Sequence, residues 1–354
     1  MWSYILKRLL LMIPTLFGIL LITFVVIQFV PGGPVEQMVS QLQGRDAGGG
    51  EAGGRAAGAA AGLSGYRGRQ GVDAKQVEEI KKLYGFDKPA HERFIQMLGQ
   101  FARFDLGRSF FHNKDVWQLI KEKLPVSISL GLWTFLLTYL ISVPLGIAKA
   151  VRAGTAFDTI TTFIVLLGYA IPSFVLGVVL LVYFAGGTFA QWFPLRGIVS
   201  SNWHELDLFH KVTDYLWHIT LPVSAMVIGG FAVITILTKN SVLEEIRKQY
   251  VMTARAKGVE ERKVLWRHVF RNALIPIMTG FPAAFVAAFF TGSLLIETLF
   301  SLDGLGLLSY ESVIRRDCPV VFGSLYVFTI IGLLTTLIRD LSYLWVDPRV
   351  KFFD

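Results

Sequence analysis

Six apolar runs alternate with polar stretches along the chain. They cover about residues 9–30, 126–150, 159–184, 219–237, 273–295 and 320–341. Each is close to the ~20 residues that a helix needs to cross a hydrocarbon core ~30 Å thick. The first run follows Lys7 and Arg8 and ends at Val30-Pro31-Gly32-Gly33-Pro34. It is long for the apolar region of a cleaved signal peptide, and no small-x-small site follows it closely. It therefore reads as a retained first helix with its N-terminus inside.

Between the first two runs lies a long polar stretch, 31–125. Its 44–71 part is a Gly/Ala/Arg tract with too few large apolar residues to pack, and disorder is expected there. Further on, Val77, Ile80, Lys81 and Tyr84 share one helical face that ends at Gly85, and Phe94, Met97, Leu98 and Phe101 form a second stripe. The basic residues of this stretch do not fix it inside, because long loops translocate largely regardless of charge. Lys149 and Arg152 mark a short inside turn. Residues 186–217 carry Trp192, Trp203 and Trp217, as an outside loop with interfacial aromatics would. Residues 297–319 are expected outside and 339–354 inside, so six crossings leave both termini in the cytoplasm.

The connector at 239–272 stands apart. Lys239, Arg247, Lys248, Arg255, Lys257, Arg262, Lys263, Arg267 and Arg271 face only Glu244, Glu245, Glu260 and Glu261. Such charge density excludes hydrocarbon, and its positive excess places the loop in the cytoplasm. Leu243, Ile246, Tyr250 and Ala254 recur at helical spacing. Gly258 supplies a left-handed stop, with Lys257 suited to the C-terminal end of the helix dipole. A second stripe follows at Leu265, Val269 and Ala273, predicting helix, glycine turn, helix. The small residues Thr253, Ala254, Ala256 and Gly258 favour a surface that another protein approaches closely over a solvated connector.

Composition narrows the chemistry. The chain is 53% hydrophobic with a mean hydropathy of +0.53, outside the range of ordinary soluble domains. The single cysteine, Cys318, excludes an internal disulfide framework and a multi-thiolate metal site. The formal charge of +8 fits inner loops and lipid headgroups rather than nucleic acid. The spans carry almost no charge, which argues against an ion-coupled carrier. No G-x4-G-K-[ST] phosphate loop occurs, so the energy for any transport must enter through a separate motor. Prolines are expected to interrupt several spans: Pro14, Pro144, Pro172, Pro276 and Pro282. Pro172, in Gly168-Tyr169-Ala170-Ile171-Pro172-Ser173-Phe174, is the candidate for a bend that lines a path, against the plainer reading of a packing kink. Gly168, Gly177, Gly280 and Gly292 permit close helix approach. Ser293, in Gly292-Ser293-Leu294, raises an intramembrane serine protease, but no histidine lies within a span. His218 and His268 sit at span ends, and His112, His204 and His210 are scattered outside without metal-ligand spacing.

Tyr250-Val251-Met252-Thr253-Ala254-Arg255-Ala256-Lys257-Gly258, followed by Arg267-His268, Arg271-Asn272-Ala273-Leu274 and Pro276, resembles the cytoplasmic loop of ABC-importer permeases of the peptide/nickel branch. In that superfamily an EAA-x3-G motif forms the coupling helix that docks into the ATPase subunit; here Met252 stands where the Glu would be. Further matches are the opening stretch from Tyr4, Leu83-Tyr84-Gly85-Phe86-Asp87-Lys88-Pro89, Phe104-Asp105-Leu106-Gly107-Arg108-Ser109-Phe110, Glu297 through Gly306, and Asp347-Pro348-Arg349-Val350-Lys351. The extended Gly-rich first loop is most similar to the Yej-type B subunits of the family.

The resemblance implies an all-α membrane protein of the type I ABC importer fold, with six transmembrane helices and a long, partly disordered first periplasmic loop. The chain divides into a first helix (1–30), that loop (31–125), a five-helix core (126–345) and a cytoplasmic tail (346–354). It implies a bacterial inner-membrane permease that imports oligopeptides, microcin C-like antibiotics among them, by alternating access. The implied partners are a homologous second permease, two ATP-binding domains or one fused ATPase, a periplasmic peptide-binding protein, the peptide itself and membrane lipids. No cofactor or metal is implied on this chain, since ATP and Mg belong to the partner subunits. Tyr250, Met252, Thr253, Ala254, Arg255, Ala256, Lys257 and Gly258 would form the ATPase dock, with Ala254 and Gly258 on or beside the docking surface. Tyr169, Pro172, Ser173, Phe174, Ser293 and Glu297 are the path or gate candidates. The competing readings are a dipeptide or nickel importer permease, an ATP-independent channel or carrier, and an intramembrane protease.

Overall fold

A computed structural model describes residues 2–29, 88–186, 189–290 and 293–346. The 44–71 tract, the stripe from Val77 to Tyr84, Gly292 and the match from Asp347 to Lys351 lie outside the described residues. Those described are almost entirely helical.

Four of the apolar runs become single helices longer than themselves, and the third and fifth are broken. Helix α1 is Trp2–Phe29, α2 is Ala90–Phe101 and α3 is Val116–Val151. Next come α4, Ala156–Ala170, and α5, Ser173–Phe184. Helix α6 is Leu208–Ile246 and α7 is Gln249–Ala256. Helix α8, Glu261–Ala273, contains a π-helical segment at Val264–Phe270. Helices α9, Ile275–Phe290, α10, Leu294–Leu299, α11, Leu305–Ile314, and α12, Cys318–Val346, complete the order. Among the described residues, four helices are individually long and apolar enough to span a membrane, and the number rises to six when each of two bent pairs counts as one span. At 36 and 39 residues, α3 and α6 outrun a ~30 Å core by several turns.

The prolines behave unequally. Helices continue through Pro14, Pro144 and Pro282, so these do not interrupt their spans. Pro172 does: α4 and α5 meet there at 93°. Ile171 before it is extended, at φ −86° and ψ 119°, the conformation that the proline ring forces on its predecessor. A gentler bend of 52° separates α8 from α9, just before Pro276.

The chain forms two compact units. One comprises Met1–Ile13, Leu119–Tyr310 and Val327–Asp354. It holds two apolar clusters. The larger joins Leu130, Ile219, Val223, Val227, Ile296 and Phe300. The smaller joins Ala150, Val242, Val251, Ala254, Val264, Val269 and Ala273. At Gly146, α3 meets α6 so closely that a Cβ would lie 2.5 Å from Thr238 Cβ and 2.8 Å from Thr235 O. Of the glycines expected at helix contacts, Gly168 and Gly177 are tightly packed, whereas Gly280 faces open space.

The other unit comprises Pro14–Gln118 and Glu311–Tyr326. The expected stripe on α2 is its core, with Phe94 and Phe101 buried. Phe94 packs 5.2 Å from the Phe24 ring, and Phe101 lies 5.1 Å from Tyr326. Asp317, 1% exposed, accepts hydrogen bonds from the Ser109 hydroxyl and from Phe110 N at 3.1 Å. His112 Nδ1 is 3.2 Å from the same hydroxyl. This serine, histidine and aspartate are together, but the serine is buried and its proton is directed to the carboxylate rather than to the imidazole. The trio is a latch between loop and helix, not a hydrolytic centre.

Candidate functional site

The connector after the fourth apolar run folds into two short helices, but with different boundaries from those its periodicity predicts. Leu243 and Ile246 belong to α6, and the backbone leaves helical geometry at Lys248 (φ −72°, ψ 148°) before α7 begins. The side chain of Glu245 accounts for the break. It accepts from both Lys248 Nζ and the Tyr250 hydroxyl, folding α7 back on the end of α6. Tyr250 also accepts from Asn272 Nδ2 at 3.0 Å, so one phenol ties α6, α7 and α8 together. Burial pushes the Tyr250 phenol pKa up, and the hydroxyl stays a donor. Gly258 ends the unit as expected, at φ +73°. Val259 N returns to Ala254 O at 3.2 Å, a helix-terminal bond of the kind that a left-handed residue permits.

The second stripe is displaced. Val264, Val269 and Ala273 are buried, while Leu265 is half-buried. Val264 and Val269 are five apart and face the same cluster, as the i→i+5 turn of a π segment allows.

The inner face of α7 is Val251, fully buried, and Ala254, 8% exposed. Both pack on Val242, Val264, Val269 and Ala273. Ala254 therefore points away from the surface on which the sequence pattern placed it. Its small size serves contact within the chain, because α7 lies flat on α8. The outer face carries Tyr250, Met252, Thr253, Ala256, Lys257 and Gly258, all exposed, with Met252 at 55%. Arg255 is half-buried and grips Glu261 with two bonds, Nε–Oε2 at 3.0 Å and Nη2–Oε1 at 2.5 Å. This pair braces the Gly258 turn from the side, so Arg255 is occupied within the chain.

Of the path candidates, Tyr169, Pro172 and Phe174 are exposed at the α4–α5 break. Ser173 packs on α6, where a Cβ on Gly229 would lie 3.4 Å from its Cβ. Ser293 and Glu297 lie elsewhere. Ser293 precedes α10, and its N–H donates to Glu297 Oε1 at 3.2 Å. Glu297 is fully buried, and its Oε2 accepts from Leu307 N at 2.7 Å. It holds the turn between α10 and α11.

One cluster escaped the sequence pattern. Lys149, at the end of the second apolar run, is 1% exposed rather than a water-facing topology marker. Its Nζ lies 3.2 Å from Asp158 Oδ1 and donates to Asp158 O (2.9 Å), Thr161 Oγ1 (2.8 Å) and Thr162 Oγ1 (2.6 Å). Lys239 Nζ donates to both carboxylate oxygens of Asp158, at 2.7 and 2.8 Å. A buried charged group does lie among the spans, against the expectation from the apolar runs. The signal available was an acidic residue nine positions after a lysine across an inside turn. Nothing local marked Lys239 as its second partner.

Residues 142–352 match the family described as binding-protein-dependent transport system inner membrane component. The chain is 55% identical to the peptidoglycan transport system permease protein YejB of Agrobacterium fabrum, over 99% of each chain. It is 54% identical to the inner membrane ABC transporter permease protein YejB of Escherichia coli O157:H7, again over 99% of each. It is 30% identical to the oligopeptide transport system permease protein AppB of Bacillus subtilis, over 99% of this chain and 100% of that one. The bent-span architecture and the matched region coincide, and the chain belongs to the family of binding-protein-dependent transport system inner membrane components, which are multi-pass transport permeases rather than enzymes.

Proposed function

We propose that this chain is the permease subunit of an ATP-driven importer of oligopeptides, working by alternating access in a bacterial inner membrane. The observation that carries this reading is α7: a short helix, fixed on α6 and α8 by Glu245, Tyr250 and Asn272, that exposes Met252, Thr253, Ala256 and Lys257. A helix so anchored can receive a push and pass it on, which a solvated connector cannot. Its basic surroundings support a cytoplasmic position for α7, and with six crossings for both termini. ATP and Mg would be bound by separate ATPase subunits, whose closure moves α7. A second, homologous permease completes the path, and a periplasmic binding protein delivers cargo. The exposed break at Pro172 is the segment of this chain assigned to the path, since irregular backbone at membrane depth belongs where it lines a cavity or packs on protein. The relatives named for peptidoglycan and oligopeptide transport support a peptide cargo, with microcin C-like antibiotics within the same class.

Reconstitution with and without ATPase subunits, following a labelled peptide and its integrity, tests the reading. Import that needs no ATPase would establish a channel or carrier, and consumption of peptide without import a protease. The two faces of α7 make a sharper test. Met252→Arg alters only an exposed side chain and, unlike Glu, does not restore the family motif. The permease should insert normally, and ATPase co-purification should fall at least about tenfold, as loss of one central interface anchor does. Ala254→Glu instead buries an unpaired carboxylate against Val264 and Val269 and should lower the yield of folded permease. ATPase binding retained by Met252→Arg would remove α7 from the docking role.

A further inference from the structure

Helices α3, α4 and α6 meet at the cluster of Lys149, Asp158 and Lys239, and the three charges do not balance. Lys149 and Asp158 alone form a neutral pair with a full set of partners. Lys149 is satisfied by Asp158 and the threonines one turn on, and Asp158 also receives Gly154 N at 3.2 Å. Together these bonds close the turn between α3 and α4 without α6. Lys239 is therefore surplus to charge balance. It adds a net positive charge to a site where its side chain is only 20% exposed, which costs free energy among apolar spans. What it adds in return is a connection, two bonds from α6 to the carboxylate of α4.

The placement of that connection is specific. Towards the bend, α4 and its successor touch α6 by packing, Gly168 against Ile228 and Ser173 beside Gly229. Towards the other end of α4, Lys239–Asp158 is the polar tie. Thus α6 is held to α4 at both ends of its length, and to α3 at Gly146, Thr235 and Thr238. Beyond Lys239, α6 runs without interruption to Ile246, where Glu245 grips Tyr250 of α7. A displacement of α7 can reach α6 directly. To swing α4 and the Pro172 break as one piece with α6, it needs the tie at the near end as well as packing at the far end.

We propose that Asp158 and Lys239 are positioning residues of the transport cycle: their pair makes α4 follow α6, so that movement received at α7 reaches the bend at Pro172. This rests on the reading of α7 as the ATPase contact, and the experiment separates the two. The complete transporter, with its ATPase subunits, is reconstituted in vesicles carrying Lys239→Met, Lys239→Arg or Met252→Arg in the permease. Three quantities are read: ATPase subunits retained, ATP hydrolysed without cargo, and peptide imported per ATP hydrolysed. Lys239→Met leaves the neutral Lys149–Asp158 pair, so the permease folds. It should retain its ATPase subunits and cargo-free hydrolysis while import per ATP falls about tenfold, within the usual span of coupling between sites. Lys239→Arg keeps two donors for the carboxylate and should stay within about twofold of the wild type. A merely structural pair would lower the amount of complex and leave import per ATP unchanged in what remains, and that result overturns the proposal. If Met252→Arg releases the ATPase while Lys239→Met transports normally, the pair's role fails alone. If Met252→Arg keeps the ATPase bound, the reading of α7 fails and the proposal falls with it.

Discussion

Asp158→Asn is expected to destabilise the permease by about 3–5 kcal/mol, the cost of breaking a buried ion pair by removing one partner. The asparagine fits the space but carries no charge, and the ammonium groups of Lys149 and Lys239 are then left 1% and 20% exposed with no carboxylate between them. Lys149 keeps its bonds to Thr161 and Thr162; Lys239 exchanges two charged acceptors for one neutral amide oxygen and an NH2 group that faces its ammonium. Adding Lys239→Met to Asp158→Asn removes one of the orphaned charges, so the double variant should be more stable than Asp158→Asn alone. That non-additivity is what a direct interaction produces and what a remote effect does not. Unfolding of the purified permease in detergent, for the two single variants and the double, measures it. Additive losses would mean that the two side chains do not interact.

What could be read from the sequence was what local chemistry determines. The spans follow from the length of the apolar runs, the α2 core from the spacing of Phe94 and Phe101, the end of α7 from Gly258, and the sharp bend from Pro172. What could not be read depends on partners distant in the chain. Pro14, Pro144 and Pro282 look like Pro172 in sequence, yet their helices continue, as membrane helices can when the freed carbonyl finds another partner. Ala254 falls on the predicted stripe, but Glu245 and Tyr250 break the helix before it and turn it inward. Lys149 reads as a marker of the inner surface, since an acidic residue nine positions on does not by itself announce that Asp158 and two threonines will enclose it. Residues 305–314 read as part of an outside loop, and fold as α11 because a buried carboxylate from α10 meets the N–H groups of its first turn. In the candidate site, the helix-turn-helix form and its outer face were legible, whereas its inner face and its anchorage to α6 and α8 through Tyr250 were not.

That buried carboxylate, Glu297, carries the other large expected effect. It is fully buried, and its partners are all donors: Ser293 N at 3.2 Å on Oε1, and Leu307 N at 2.7 Å on Oε2. Gly306 N–H adds to them. An anion at the start of α11 suits the positive end of the helix dipole. Glu297→Gln keeps the shape but turns one acceptor into an NH2 group facing an N–H. One buried donor is then unsatisfied, at a cost of about 1–3 kcal/mol. Gly304→Ala attacks the same arrangement from the other side, since its Cβ would lie 2.6 Å from the carboxyl carbon of Glu297. Both variants should lower the melting temperature of the permease. Burial pushes the Glu297 pKa up and outweighs the pull of the N–H groups. The folded state therefore holds its proton to higher pH than the unfolded chain does. The stability this contributes is complete below the ordinary carboxylate range and is lost as pH rises through the raised value. Wild-type melting temperature should accordingly fall with rising pH across that window, and the fall should be shallower in Glu297→Gln, which has no proton to lose. A Gln variant that melts with the wild type at neutral pH, with the same pH slope, would mean that the carboxylate does not hold the α10–α11 turn.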